Sequence, residues 1–209
     1  MTRSEDTRER ILFGAEEVVL RDGVAHLTLE SAAAEAGISK GGVLYHFPSR
    51  AALVTAMVQR LSSEFDADLE KEGAWSGEPG AFTRAYLEAN FGPSSEVPGS
   101  RERRLGAAVI AGVASDNELL EPLRERFVAW QHALEADGLP PAASSLVRLA
   151  ADGLWFTSLF SLAPLGDEMR SEVRGQLLSY LEAMAAAGAA ARGSKARARP
   201  GAARNKGST

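Results

Sequence analysis

The sequence predicts an all-α chain of about nine helices, on three observations. Apolar residues recur three and four positions apart through most of its 209 residues. No stretch of useful length alternates apolar with polar residues, as a half-buried strand would. Glycine and proline break the chain at helix-length intervals, and 45% hydrophobic residues suffice for a sizeable core.

The elements follow in order. Residues 7–20 carry Ile11, Leu12, Ala15, Val18 and Val19 on one helical stripe, ended by Gly23. Thr28 has the hydroxyl of an N-cap; Leu29, Ala32, Ala33 and Ala36 follow at helical spacing, and Gly37 stops this two-turn helix. Ser39 caps a third helix with Val43, Leu44 and Phe47 inward, closed by Pro48. Ser49 opens a long fourth helix through Leu53, Met57, Leu61 and Phe65 to residue 72, followed by a Gly/Pro-rich joint at 73–80. Further helices are predicted over 81–90, 101–114, 119–137, 142–163 and 168–187. From 189 onward the composition is Ala, Gly, Ser and basic residues, too poor in apolar groups to offset the entropy of ordering, so residues 189–209 are expected to be a disordered basic tail.

Composition narrows the chemistry. Without cysteine there is neither disulfide nor thiolate chemistry, and His26, His46 and His132 are too scattered for a metal site; no cofactor is expected. No nucleophile–base pairing or phosphate loop is present, so the reading is not an enzyme. No apolar run reaches the ~18–20 residues of a membrane helix, and the charged N-terminus is unlike a signal peptide, so a cytoplasmic protein without membrane contact is expected. The net charge of −5 conceals segregation. Residues 1–36 hold eight acids against four arginines, whereas 37–61 hold Lys40, Arg50 and Arg60 and no acid.

Residues 28–47 form the pattern of a helix-turn-helix: a short scaffold helix, a glycine turn at Gly37 with Ile38 as apolar plug, and a second short helix beginning Ser39, Lys40, Gly41, Gly42. A capping hydroxyl, a cation and two residues without bulk suit an approach to base edges in a groove. The same pattern also suits a helical small-molecule or partner-binding module without DNA activity.

The run TLESAAAEAGISKGGVLYHFPSRAALV at residues 28–54, behind an amphipathic helix, resembles the DNA-binding domain of the TetR/AcrR family of bacterial repressors. The resemblance implies a helix-turn-helix domain over 1–48, an effector-binding and dimerisation domain over 49–188, and a homodimer that leaves a palindromic double-stranded operator when a small molecule binds. It further implies that Thr28 caps the scaffold helix and meets a phosphate, and that Ser39, Lys40, Gly41 and Gly42 start the base-facing edge. Tyr45 and His46 would meet the sugar-phosphate backbone, and Arg50, where the family usually has Lys, a phosphate from the fourth helix. One departure stands out: Leu44 occupies the usual tyrosine place, and Tyr45, His46 and Phe47 run consecutively. Read without the resemblance, Tyr45 is a core aromatic and His46 a cation favoured by the helix C-terminus.

In the C-terminal part, Tyr86, Phe91, Trp130, His132, Trp155, Phe156 and Phe160 are the candidate effector-pocket residues, the aromatics among them being equally suited to plain core. Asn90, Asp152, Thr157 and Ser158 are possible polar anchors. The final two helices resemble the family's dimerising pair, with Leu146, Leu149, Leu177, Tyr180, Leu181 and Met184 as the seam and Gly153, Gly175, Ala183 and Ala187 allowing close approach.

Overall fold

The computed structural model describes residues 3–91, 101–114 and 116–197, with the side chains of 3, 102, 103 and 191–197 outside the description. Among the described residues the chain forms nine α-helices, one 3₁₀ turn and no strand: α1 Arg3–Asp22, the turn Val24–His26, α2 Leu29–Ala36, α3 Lys40–His46, α4 Arg50–Lys71, α5 Ala81–Phe91, α6 Arg101–Val113, α7 Asn117–Glu135, α8 Pro141–Leu159 and α9 Asp167–Arg197.

The expected helices are all present, with their ends adjusted by local chemistry. Ser49 caps α4 by accepting from the Ala52 N–H at 3.1 Å. Helix α7 begins two residues before the expected start, at Asn117, because Asp116 caps it by accepting from the N–H groups of Glu118 and Leu119. Helix α8 ends at Leu159 rather than at 163, because Ser161 and Ala163 take left-handed backbone and the Leu162 N–H returns to the Thr157 carbonyl. Helix α9 runs past the expected boundary at 188 to Arg197. The first nine residues of the tail expected to be disordered, 189–197, are thus helical: residues 183–191 are almost all alanine, the strongest helix former, and propensity favours continuing the helix. The basic tail beyond 197 lies outside the described residues.

Two apolar cores organise the bundle. The first joins α1, α2, α3 and the early turns of α4 to Leu105, Val109 and Val113, which recur every four residues along α6. The second contains Leu69 at the end of α4 with α5, the later turns of α7, and residues of α8 and α9. The cores separate inside α4, between Val58 and Leu69. Physically, α6 belongs to the N-terminal unit on one face, although it is remote in sequence.

Helix α5 is anchored at its N-terminus by Asp137 from the α7–α8 turn. That carboxylate accepts from Phe82 N at 3.1 Å, Thr83 N at 2.8 Å and Thr83 Oγ1 at 2.6 Å. An anion at free helical N–H groups is the arrangement that the helix dipole favours.

Candidate nucleic-acid interface

The helix-turn-helix is held by its own capping groups. Thr28 Oγ1 accepts from the Ser31 N–H at 2.9 Å while the Thr28 N–H donates to Ser31 Oγ at 2.9 Å, a reciprocal box in which serine takes the usual glutamate place. Gly37 ends α2 at φ 65°, left-handed backbone that favours glycine, and the Ile38 N–H then bonds the Ala33 carbonyl. Ser39 caps α3 by accepting from the Gly42 N–H at 3.2 Å. The scaffold helix is pressed onto α1 at Gly14, where a Cβ would lie 2.9 Å from the Ala36 nitrogen.

Helix α3 buries Val43 and, at its C-cap, Phe47, and exposes Lys40, Gly41, Leu44 and Tyr45. Leu44, expected in the core, is 42% exposed, and Tyr45 is 81% exposed, which sets aside the core reading of Tyr45. Val43 and Phe47 lie four residues apart and suffice to fill the contact with α1 and α2; Leu44, one position on, points about 100° away. The outer face therefore presents Lys40, Gly41, Leu44 and Tyr45. The two glycines differ. Nothing lies within 4 Å of a Cβ built on Gly41, whereas one on Gly42 would meet Ile38 Cγ2 at 2.8 Å. Gly42 is thus a packing glycine against the plug residue, not part of the open edge. His46 is half-buried, its ring edge-on to Tyr45 at 5.0 Å. His26 joins its ring Nδ1 to the Asp22 carbonyl at 2.7 Å, closing α1.

The cations of this unit are largely engaged within the protein. Arg50 does not present its guanidinium outward as expected: Nε donates to the Leu27 carbonyl at 2.9 Å and Nη2 to the Val24 carbonyl at 2.8 Å. The first residue of α4 thereby grips the segment that leads into α2, and a cation at a helix N-terminus, unfavourable by the dipole alone, is compensated by two carbonyls. Arg10 donates to the Ala36 carbonyl, and Arg21 pairs with Glu35. Lys40 pairs with Glu30 across the turn; both side chains are more than half exposed, so the pair is weak and a phosphate can replace Glu30. The hydrogen bond from Lys40 holds the Glu30 carboxyl below its usual pKa.

The C-terminal candidates divide into three places. Tyr86 and Trp130 are buried beside Phe65, with ring centroids 5.2 and 4.9 Å from it, and Phe91 is buried in the same core. Trp155, Phe156 and Phe160 lie at the far end of α8, the first two exposed, and His132 faces solvent. The seven residues therefore do not enclose one cavity. Sequence reading offered Asp152 as a polar anchor but missed its partners, which form a polar seam in the second core. Tyr86 Oη donates to Asp152 Oδ1 at 2.6 Å, and Arg148, one turn earlier on α8, lies 3.4 Å from the other oxygen. Burial pushes the Asp152 carboxyl and the Tyr86 phenol up, the phenol far above its ordinary value. Ser144 Oγ and Arg148 Nε, on the same face of α8 as Asp152, and Gln131 Oε1 on α7 are buried without a partner among the described residues. Ser144, Arg148 and Asp152 recur every fourth residue, the signal by which the seam was legible. Asn90 and Thr157, by contrast, bond carbonyls of their own helices.

Of the proposed dimer seam, Leu146 and Leu149 are each 57% exposed on α8, in line with Gly153 and Phe156. Leu177, Tyr180 and Met184 are half-buried, and Leu181 is buried within the protomer's second core, which removes it from the seam. Gly175, Ala183 and Ala187 are exposed.

A capped helix-turn-helix that offers a lysine, an uncovered glycine and two large exposed side chains, set on an all-helical body, defines a DNA-binding regulator. Residues 11–57 match the family described as bacterial regulatory proteins, tetR family, and residues 80–182 match the tetracyclin repressor-like C-terminal domain. The chain belongs to the TetR family. It is 32% identical over 97 residues to the uncharacterized HTH-type transcriptional regulator TtgW of Pseudomonas putida, covering 44% of this chain and 69% of that one. It is 33% identical over 97 residues to the HTH-type transcriptional regulator SrpR of Pseudomonas putida, and there the match spans 44% of either chain. Among solved structures it resembles NalD, titled the secondary repressor of the MexAB-OprM multidrug efflux pump in Pseudomonas aeruginosa, with a TM-score of 0.59, 24% identity, and coverage of 85% of this chain and 94% of that one.

Proposed function

We propose that the protein is a homodimeric transcriptional repressor, active in the cytoplasm rather than an enzyme, that holds a palindromic operator through α3 and leaves it when a small molecule enters the C-terminal bundle. The observation that carries the reading is the outer face of α3. Gly41 stands in open space beside an exposed lysine, leucine and tyrosine. A helix this bare of bulk at its start can lie deep in a major groove, with Lys40 directed at guanine or phosphate and Leu44 at a thymine methyl group. Thr28, at the exposed start of α2, and Tyr45 are placed to position the backbone.

Dimerisation is supported by the apolar stripe on α8, which solvent would otherwise cover at a cost, and by the small residues on the outer face of α9. A two-fold pair places two recognition helices roughly 34 Å, or one turn of duplex, apart. The seam of Tyr86, Arg148 and Asp152, with its unpartnered buried atoms, supports the second core as the effector's seat, since a ligand's polar groups would satisfy them. Selection of bound sites from random DNA by the full-length protein tests the reading. A two-fold symmetric site, lost on Lys40→Ala, is the expected result; an unenriched pool refutes it and favours a helical binding module without DNA activity.

A further inference from the structure

Helix α1 carries a buried carboxylate that the DNA-reading surface does not use. Glu16 is 2% exposed, and it is shared by cations from two other helices: Arg60 of α4 donates to one oxygen at 2.9 Å, and Arg101 of α6 to the other at 3.1 Å. Arg101 also holds Glu17, through Nε at 3.1 Å and Nη2 at 2.8 Å, and its guanidinium lies 4.7 Å from the centre of the Phe13 ring. Arg60 in turn binds Glu9. Glu9, Phe13, Glu16 and Glu17 share one side of α1, so a single face of the reader's first helix is tied to α4 and to the first residue of α6.

A second attachment lies eleven residues along α6. A Cβ on Gly112 would stand 2.4 Å from Cβ of Val24, so the helix backbone is seated directly on the 3₁₀ turn. Leu105, Val109 and Val113 along the same helix contribute apolar packing, which carries no directional bond. A planar guanidinium fork and a glycine notch add directional constraints, and at a rise of 1.5 Å per residue they are roughly 16 Å apart. Two fixed points along one rod set an angle. The turn gripped by the notch is the one whose Val24 carbonyl Arg50 holds, so the attachment continues into the helix-turn-helix itself.

We propose that the Glu16–Arg60–Arg101 cluster, together with the Val24–Gly112 notch, sets the angle of the reader on the bundle and so the half-site spacing that the dimer accepts. Arg101 is then a positioning residue for operator choice that touches no DNA. This rests on the operator-binding reading above.

The test uses full-length wild type, Arg101→Gln and Arg101→Lys. Probes are the symmetric site selected by wild type, the same half-sites brought closer or further apart by a base pair or two, and a duplex with one half-site. Wild type is expected to prefer one spacing. Arg101→Gln is expected to keep helicity, dimer mass and single half-site affinity while its preference for the matched spacing falls by about tenfold, a usual size for coupling between sites. Arg101→Lys, which restores charge without the fork, is expected to recover part of it. An unchanged spacing preference in a folded Arg101→Gln overturns the proposal, as does a loss of single half-site affinity equal to the loss on the palindrome. If Arg101→Gln does not fold, Gly112→Ala, which lifts α6 off Val24, must show the same relaxed spacing, and failure to do so is equally decisive. Wild type selecting no symmetric site refutes the operator-binding reading instead, since that outcome precedes any comparison of variants.

Discussion

Replacing Arg50 by glutamine separates two roles that the sequence cannot tell apart. In the structure its guanidinium is spent on the Leu27 and Val24 carbonyls at 2.9 and 2.8 Å. Hydrogen bonds from a charged donor contribute about 1.5–3 kcal/mol each, and at a half-buried site water recovers part of the loss, so the two together should be worth about 2–4 kcal/mol. Urea unfolding of the variant should show that loss at unchanged m, since the exposed surface is similar. Operator affinity should fall only as far as the helix-turn-helix is misplaced, and the dependence of log K on log salt should keep its wild-type slope. A phosphate contact behaves differently: its removal lowers the slope by about 0.9 and leaves stability near wild type. Stability within about 0.5 kcal/mol of wild type together with a flattened salt dependence would refute the positioning role.

The two recognition-helix glycines should respond with opposite signs. Gly41→Ala gains up to about 1 kcal/mol of helix propensity with no clash, yet weakens operator binding by placing a methyl group on the reading edge; Gly42→Ala forces Ile38 aside, costing about 1–3 kcal/mol against that same gain. Urea melts and operator titrations of both check the contrast. Leu149→Lys puts a charge on the apolar stripe of α8 and should yield a monomer by light scattering with protomer helicity retained; a persisting dimer would move the interface elsewhere. For Asp152 the sign follows from its raised pKa, caused first by burial. The folded state holds this proton more tightly than the unfolded chain does, with its value near about 3.9, so the stabilisation is complete at lower pH and is lost as pH rises from there through the folded value. The stability of wild type relative to Asp152→Asn should therefore decline across that interval and level off above it. A relative stability that climbs with pH would contradict the burial assignment.

Much of the reader was legible in the sequence because its signals are local. Capping hydroxyls at Thr28, Ser39 and Ser49, a glycine at the left-handed turn, and apolar spacing along each helix act within about four residues, and the structure places each where that chemistry requires. Leu44 departs from its expected place because a helical stripe tolerates either 43 and 47 or 44 and 47, and only the surfaces of α1 and α2 choose between them. Leu181 and the aromatic set depart for a related reason. Periodicity shows that a face is apolar but not whether its own protomer or a partner covers it.

The sequence by itself determined the class, the order and approximate ends of the helices, and the position of the helix-turn-helix. Tertiary structure alone decided what the charged side chains do. Arg50 reaches carbonyls 23 and 26 residues away, and Arg101 reaches carboxylates 84 and 85 residues away. It likewise decided that α6 shares a core with the reader. An arginine is a cation on a long flexible stem: its residue type shows that a partner is needed, and the partner is whichever oxygen the folded chain brings within reach.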